Sequence, residues 1–213
     1  MDQKSKKLIV FLAGEIRNKA NVRNFISSED FDFIAADGGY LLANEFKVPL
    51  SLILGDFDSS AMPFIGETVV YPCEKDDTDS ALALQHGIQK GYTEICMIAP
   101  FGGRFDHSLA NLALFETAEK HNVALTLYDG ENLVQSLKEG EHTISNRFRY
   151  VSFLPWDASA TVTLSGFKYP LDYAELYRAI PLGVSNEPLE NPIITVHHGK
   201  IICICIEKTQ EGL

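Results

Sequence analysis

The first 130 or so residues alternate short apolar runs with segments of helical periodicity. The apolar runs are continuous, which is typical of strands buried on both faces of a parallel sheet. Strand–helix alternation of this kind predicts a doubly wound α/β domain with a mostly parallel sheet. The predicted strands are Leu8–Leu12, Phe33–Ala36, Leu52–Leu54, Thr68–Tyr71, Glu94–Ala99 and Leu125–Tyr128.

Two of the predicted helices carry signals for their ends. Thr78 or Asp77 can cap a helix that ends at Gly91, because short polar side chains accept hydrogen bonds from the free N–H groups of a first turn. By the same argument Asp106 can cap a second helix, which ends near Asn122.

Beyond about residue 130 the pattern changes to a series of short β-rich runs. The dipeptide His198-Gly199 is typical of a hairpin turn, and residues Tyr173–Ala179 are predicted to form a short helix. We expect an α/β domain over residues 1–130 and an antiparallel β-sandwich or barrel over residues 131–213. The predicted strands of the second domain are Asn132–Leu137, His142–Ile144, Tyr150–Leu154, Ala160–Leu164, Ile193–His197 and Lys200–Glu207.

Composition narrows the class of protein. The chain has 213 residues, with 18 Lys and Arg against 29 Asp and Glu, and a net charge of −11. This acidic balance argues against a nucleic-acid-binding surface, which needs clustered basic residues. No run reaches the ~20 apolar residues that span a bilayer. The apolar run Leu8–Ala13 is shorter than a signal-peptide core, so we expect a cytoplasmic protein that does not contact a membrane.

The four cysteines lack the spacing of a zinc site. Cys203 and Cys205 are two positions apart in a predicted strand, and therefore share one face of it. We expect reduced and mostly buried thiols.

Four polar clusters follow the strands of the first domain, where open α/β sheets bind their ligands. One such cluster is weak evidence, but four at the same edge of the sheet indicate a binding site. The clusters are Asp37–Gly39, Gly55–Ser59, Lys75–Asp79 and Gly102–His107.

Two of these clusters hold five aspartates: Asp56, Asp58, Asp76, Asp77 and Asp79. If the loops converge, the carboxylates repel one another unless a cation is bound, and hard oxygen ligands suit Mg²⁺ held together with substrate phosphates. The alternative is a set of solvated turns and helix caps, which is an equally good explanation of Asp77 alone. It explains Asp56 and Asp58 less well, because a Gly-Asp-x-Asp segment directly after a buried strand points two carboxylates into the crevice.

Gly102-Gly103-Arg104 precedes a predicted helix and is a candidate phosphate cradle. Glycines let the backbone approach closely, the helix N-terminus offers N–H groups, and arginine can bind two oxygens at once. A simple tight turn is the alternative. The sequence contains no Walker A loop, and no Gly-x-Gly-x-x-Gly follows the first strand.

Taken together, the motifs resemble the thiamin pyrophosphokinase (thiamin diphosphokinase) family, in the order of that family and over about residues 35–187. The sequence departs from the family near its N-terminus, where two glycines often follow the first strand but Gly14 is here followed by Glu15. The matching motifs are Ala36–Gly39, Gly55–Ser59, Asp76–Asp79, Gly103–His107, Gly166–Leu171 and Ser185–Glu187.

The resemblance implies that a pyrophosphoryl group passes from ATP to the hydroxyl of thiamin, giving AMP and thiamin diphosphate. It also implies a homodimer with shared active sites. One of the carboxylates takes the proton of the thiamin hydroxyl, and which one does so is left open. The roles implied are Mg²⁺ binding and catalysis by Asp56, Asp58 and Asp79 with Asp76 nearby, ATP binding by Asp37, Gly38, Gly103, Arg104, Asp106 and His107, and thiamin binding by Tyr169, Ser185 and Asn186.

Some of these residues also have plainer explanations. His107 can be a first-turn helix residue without a ligand, Tyr169 a core residue, and Ser185-Asn186 a loop turn. Two other functions compete with the kinase. A Mg²⁺-dependent nucleotide phosphohydrolase would release phosphate and ignore thiamin, and a non-catalytic nucleotide-binding dimer would show no turnover at all.

Overall fold

The computed structural model describes residues 5–55, the backbone of residues 67–70, and residues 77–208. The chain divides into two compact units, Met1–Gly130 and Glu131–Leu213. Three of the predicted catalytic residues, Asp56, Asp58 and Asp76, lie outside the described residues. Within the described part, no helix is long and apolar enough to cross a membrane.

Six parallel strands form the sheet of the first unit, in the order β4-β3-β2-β1-β5-β6. The central strand β1 is buried throughout Leu8–Phe11, as expected for a strand covered on both faces. The strands are β1 (Lys7–Phe11), β2 (Asp32–Ala36), β3 (Leu52–Gly55), β4 (Glu67–Val70), β5 (Glu94–Ile98) and β6 (Ala124–Tyr128).

Four helices alternate with these strands in the described part of this unit. The helices are α1 (Lys19–Ile26), α2 (Gly39–Phe46), α3 (Asp79–Gln89) and α4 (Phe105–Lys120). Thr78 caps α3, and its side chain accepts a hydrogen bond from the N–H of Ala81. The prediction that Asp106 caps α4 is wrong: Arg104 occupies the N-cap, and Asp106 lies in the first turn.

The strand order reverses beside β1. Strands β2, β3 and β4 follow on one side of it, and β5 and β6 on the other. The loops that leave β1 and β5 must therefore diverge to opposite faces of the sheet, which opens a crevice at their carboxyl ends.

Seven antiparallel strands make up the second unit, in the groups β7-β13-β9 and β11-β10-β12-β8. Phe153 of β9 meets Phe167 of β10 edge-on, with 5.5 Å between the ring centres, so the two groups pack as a sandwich. The strands are β7 (Asn132–Leu137), β8 (Gly140–Thr143), β9 (Tyr150–Pro155), β10 (Ser159–Phe167), β11 (Leu171–Tyr177), β12 (Pro188–His198) and β13 (Ile201–Ile206). The fold class predicted from the sequence is thereby confirmed.

Two local predictions in this unit are wrong. The helix expected at Tyr173–Ala179 is strand β11, paired with β10, because the ladder and the burial of Leu176 outweigh the helical propensity of this segment. The turn at His198-Gly199 does not close a hairpin, because β12 pairs with β10 and β8 while β13 pairs with β7 and β9. It carries the chain from one sheet of the sandwich to the other.

Candidate functional site

A cleft of about 460 Å³ opens in the first unit at the carboxyl ends of its strands. The loops after β1, β2 and β5 contribute to its wall, together with the first turns of α3 and α4. The lining residues are Leu12, Ala13, Gly14, Glu15, Ala36, Asp37, Thr78, Asp79, Ser80, Ala99, Pro100, Gly102, Gly103, Arg104, His107 and Asn111.

Asp37 enters this cleft from the end of β2. Its backbone has a positive φ of 46°, and its N–H donates to the carbonyl of Leu54 at 2.6 Å. The following turn brings α2 against β1 so tightly that a Cβ on Gly39 would lie 2.0 Å from the Phe11 oxygen. Gly38, the N-cap of α2, is beside the cleft but does not line it.

Asp79 lies in the first turn of α3 and is half-buried. The neighbouring Thr78 and Ser80 hydroxyls share a hydrogen bond of 3.0 Å. The positive end of the helix dipole favours an anion at this position, and Asp79 lines the cleft.

Residues 99–104 form a turn between β5 and α4, called here the 99–104 turn. Its backbone has positive φ at Ala99 (58°), Gly102 (111°) and Gly103 (59°). Among the described residues, the Gly102 and Gly103 N–H groups donate no hydrogen bond. Successive N–H groups of this kind form a concave site for an anion.

Arg104 extends from this turn and is paired with Asp106. Its Nε and Nη2 donate to the two oxygens of Asp106 at 3.2 and 2.5 Å. This hydrogen bond raises the pKa of Arg104 and lowers the pKa of Asp106. Both side chains are exposed, so a phosphate can replace the carboxylate at little cost. Arg104 and His107 line the cleft, and Asp106 does not.

The donor set of the cleft fits a hard cation. Asp37 and Asp79 present carboxylate oxygens to one space, and the Oδ1 atom of Asp37 is shielded from solvent. A Cβ on Gly55 would lie 3.1 Å from the Asp37 Cα, so β3 ends beside Asp37, and Asp56 is the next residue in the sequence. Within the described residues, no three His, Cys, Asp or Glu side chains come close enough to hold a metal ion.

Asn186 of the second unit is buried, and its side chain is hydrogen-bonded to the backbone. Its Oδ1 accepts from the N–H groups of Tyr169 and Glu187, each at 3.0 Å, and its Nδ2 donates to the Tyr169 carbonyl at 2.8 Å. A carbonyl oxygen has two acceptor sites, so Asn186 fixes the position of Tyr169 and has no acceptor site left for a ligand.

Tyr169 and Ser185 are exposed, as direct contact with a ligand requires. The Tyr169 ring is 57% exposed, and the Lys168 ammonium lies 5.6 Å from its centre. Ser185 has a positive φ of 59°, and the Ser152 hydroxyl accepts a hydrogen bond from its N–H at 3.0 Å.

Comparison with known proteins identifies the family. The model of the thiamin pyrophosphokinase catalytic domain matches residues 22–127, and that of the vitamin B1 binding domain matches residues 141–201. The thiamine pyrophosphokinase of Bacillus subtilis is 32% identical, with 85% of this chain and 89% of that protein covered. The chain belongs to the thiamin pyrophosphokinase family.

Solved structures of thiamin pyrophosphokinases agree in fold. A Bacillus subtilis crystal structure has a TM-score of 0.84 at 27% identity, covering 96% of this chain and all (100%) of that one. The yeast thiamin pyrophosphokinase has a TM-score of 0.79 at 13% identity, covering 97% of this chain and 88% of that one. The yeast enzyme supports the fold alone.

Four residues with polar side chains that line the cleft of this thiamin pyrophosphokinase family member were not among the predicted site residues: Glu15, Thr78, Ser80 and Asn111. Glu15 lies in the loop after β1, at the edge where ligands were expected, so its position was a usable signal. Asn111 lies four residues after His107 and hence on the same face of α4. The other buried residues of α4 are apolar. A polar residue among them was the only sequence signal that Asn111 lies at the cleft.

Proposed function

We propose that this chain transfers a pyrophosphoryl group from ATP to the hydroxyl oxygen of thiamin, giving AMP and thiamin diphosphate. Family membership supports this reaction. The observation that carries it is the cleft, where Asp37, Asp79 and the 99–104 turn face one space at the reversal of strand order. Transfer of this kind depends on positioning and on neutralising phosphate charge rather than on a covalent intermediate.

In this proposal the triphosphate lies against the 99–104 turn. The N–H groups of Gly102 and Gly103 donate to phosphate oxygens, and Arg104 exchanges Asp106 for a phosphate. Asp106 then serves to orient the guanidinium before ATP binds. Asp37, Gly38 and His107 complete the nucleotide pocket.

Asp56, Asp58 and Asp79 are proposed to hold Mg²⁺, with Asp76 nearby. When bound, Mg²⁺ neutralises charge on the phosphates and polarises the bond to the leaving group. One of these carboxylates accepts the proton of the thiamin hydroxyl, which attacks the β-phosphorus as AMP departs.

Thiamin is proposed to bind at the second unit, through the Tyr169 face and the Ser185 hydroxyl. Thiamin is a cationic aromatic molecule, and an aromatic face attracts such a cation by about 0.5–2 kcal/mol. Asn186 contributes by holding Tyr169 in place.

We further propose a homodimer whose chains share the active sites. The free, buried thiols Cys203 and Cys205 favour a reducing compartment, and support a cytoplasmic location.

A ³¹P NMR assay with ATP, Mg²⁺ and thiamin tests the reaction. We expect AMP and thiamin diphosphate in equal amounts without free phosphate, and a loss of at least 100-fold in rate for Asp56→Asn, comparable to removing a charge-stabilising group. Asp172→Asn is the matched control, because Asp172 is an exposed aspartate of β11 outside the proposed site.

Two outcomes contradict the proposal. Free phosphate or ADP that forms equally well without thiamin would indicate the nucleotide phosphohydrolase. Binding of ATP without turnover, in both the parent chain and Asp56→Asn, would indicate the non-catalytic nucleotide-binding dimer.

A further inference from the structure

Three carbonyl groups of the 99–104 turn accept hydrogen bonds from other parts of the first unit. The Gly14 N–H donates to the Ala99 oxygen at 3.1 Å, and the Glu15 N–H donates to the Phe101 oxygen at 2.7 Å. Between them, the Asn111 side-chain amide donates to the Pro100 oxygen at 2.7 Å. Three consecutive carbonyls are thus occupied before the chain reaches the Gly102 and Gly103 N–H groups.

This arrangement holds a strained backbone. Ala99 has a φ of 58°, a left-handed conformation that a residue with a Cβ adopts at an energetic cost. The next residue is Pro100, and a residue before proline is normally restricted to extended conformations. Such a conformation persists only where its surroundings determine it more than once, and the three hydrogen bonds to the turn serve that purpose.

Asn111 differs from the other two donors because it acts through a side chain. It lies on α4, lines the cleft and is only 7% exposed. Its bond to Pro100 crosses from the helix to the turn that precedes it. Burying an amide is unfavourable unless it is hydrogen-bonded, and the bond to the Pro100 carbonyl meets that requirement while fixing the turn to the helix.

We propose that Asn111 is a positioning residue for nucleotide binding: through the Pro100 carbonyl it holds the 99–104 turn with its N–H groups directed at the phosphates. The inference rests on the proposed function for the identity of the ligand as a nucleoside triphosphate. Asn111 itself touches no phosphate in this account. Its effect is transmitted by the strained turn.

The first experiment measures ATP binding by calorimetry with Mg²⁺ and without thiamin. Asn111→Leu keeps the side-chain volume and removes the donor, and we expect the Kd for ATP to rise about tenfold, as for one lost hydrogen bond to a buried acceptor. In steady state the KM for ATP rises in parallel, while the KM for thiamin stays within about twofold. The matched control is Leu114→Val, a buried position of the same helix outside the cleft, which lowers Tm without changing the Kd for ATP.

A second variant tests the role of strain. In the Asn111→Leu background, Ala99→Gly removes the cost of the left-handed conformation, and should recover at least half of the lost affinity on a logarithmic scale. If Asn111→Leu does not fold, Asn111→Ser replaces it, because serine is too short to reach the Pro100 oxygen.

An unchanged Kd for ATP in the Asn111 variants, or an equal loss in Leu114→Val, overturns the inference. Failure of Ala99→Gly to restore any affinity overturns the account through the strained turn. These outcomes are separate from a failure of the proposed function. A parent chain that binds ATP but does not convert thiamin contradicts only the reaction, whereas a chain that does not bind ATP contradicts both.

Discussion

Arg104 and Asp106 form an exposed ion pair with two hydrogen bonds. The interaction energy of such a pair is small in water. Such a pair is easily exchanged for a phosphate, because both ligands present two oxygens to the same guanidinium. In the proposed site, the pair therefore serves to orient Arg104 before the nucleotide binds.

The consequence for Arg104 can be measured. We expect Arg104→Ala to lower kcat/KM for ATP about 100-fold, as for loss of one preorganised donor to a developing charge. Arg104→Lys recovers only part of this, because lysine cannot donate to two oxygens in one plane. Steady-state kinetics checks the prediction, with Arg147→Ala as the control: Arg147 is also exposed and forms an ion pair, with Glu207. A Tm that falls sharply in Arg104→Ala would indicate a structural role instead.

Substitutions of Asn186 and Tyr169 should differ in their effect on stability, although both should weaken thiamin binding. Asn186→Ala leaves the Tyr169 N–H and C=O without their partner, so we expect the free energy of unfolding to fall by about 2 kcal/mol. Tyr169→Ala removes an exposed ring, and should change stability by less than about 0.5 kcal/mol. Both variants should raise the KM for thiamin. Denaturant titration beside kinetics distinguishes the two, and a Tyr169→Ala enzyme with an unchanged KM would contradict the proposed thiamin site.

At the scale of elements, the amino-terminal edges of β1 and β5 are joined by polar side chains. Lys7 pairs with Glu29 and Glu94, and the Ser5 hydroxyl donates to Glu94. Desolvation alone would raise the pKa of Glu94, but the hydrogen bonds from Ser5 and Lys7 lower it overall. This edge is opposite the carboxyl ends that form the cleft, so its charges affect stability and leave binding unaffected.

The sign of the pH effect follows from that lowered pKa. Glu94 stabilises the fold above the pKa of an unfolded glutamate, about 4.3, and this stabilisation is lost as the pH falls through the lower folded pKa. Glu94→Gln should therefore cost less than about 1 kcal/mol at pH 7, since the side chain is partly exposed. The difference from the parent chain should shrink as the pH falls below about 4.3, as urea titrations at several pH values can show. A difference that grows on acidification would contradict the assignment.

A strand or helix could be predicted from the sequence where its own residues determine it, and not where pairing with a distant segment does. Strands β1, β3 and β5 were predictable, because burial on both faces demands continuous apolar runs. The place of Asp37, Asp79 and Arg104 in one cleft followed from the carboxyl ends of parallel strands meeting at one edge. Strand β11 was not predictable from its own residues, because its helix-forming composition is overruled by pairing with β10.

At the scale of the whole molecule, both units bury thiols. Cys96 lies in β5 of the first unit, and Cys203 and Cys205 lie in β13 of the second, with their sulfurs 3.7 Å apart. Burial raises the pKa of Cys96, and the hydrogen bond with Cys205 together with burial raises the pKa of Cys203. Since the thiolate is the reactive form, these three thiols should be protected from thiol reagents.

Thiol titration checks this protection. In a Cys73→Ser variant, which leaves only the three buried thiols, we expect no rapid reaction with Ellman's reagent at pH 8, and reaction of all three after unfolding in guanidinium chloride. The remaining thiols should react in the folded state only as fast as their surroundings open. Rapid reaction of any thiol in the native protein would show that its strand is accessible.

Strand β13, the last strand that the structure describes, lies between β7 and β9 and is hydrogen-bonded to both. During synthesis, therefore, β7 and β9 leave the ribosome before their common partner strand. They can pair with it only after Ile201–Ile206 has been synthesised. The described strands of the first unit all precede residue 130, so that unit can fold while the second is still being translated. A chain truncated before Ile201 would thus have a folded cleft in its first unit and an unfinished, aggregation-prone sandwich.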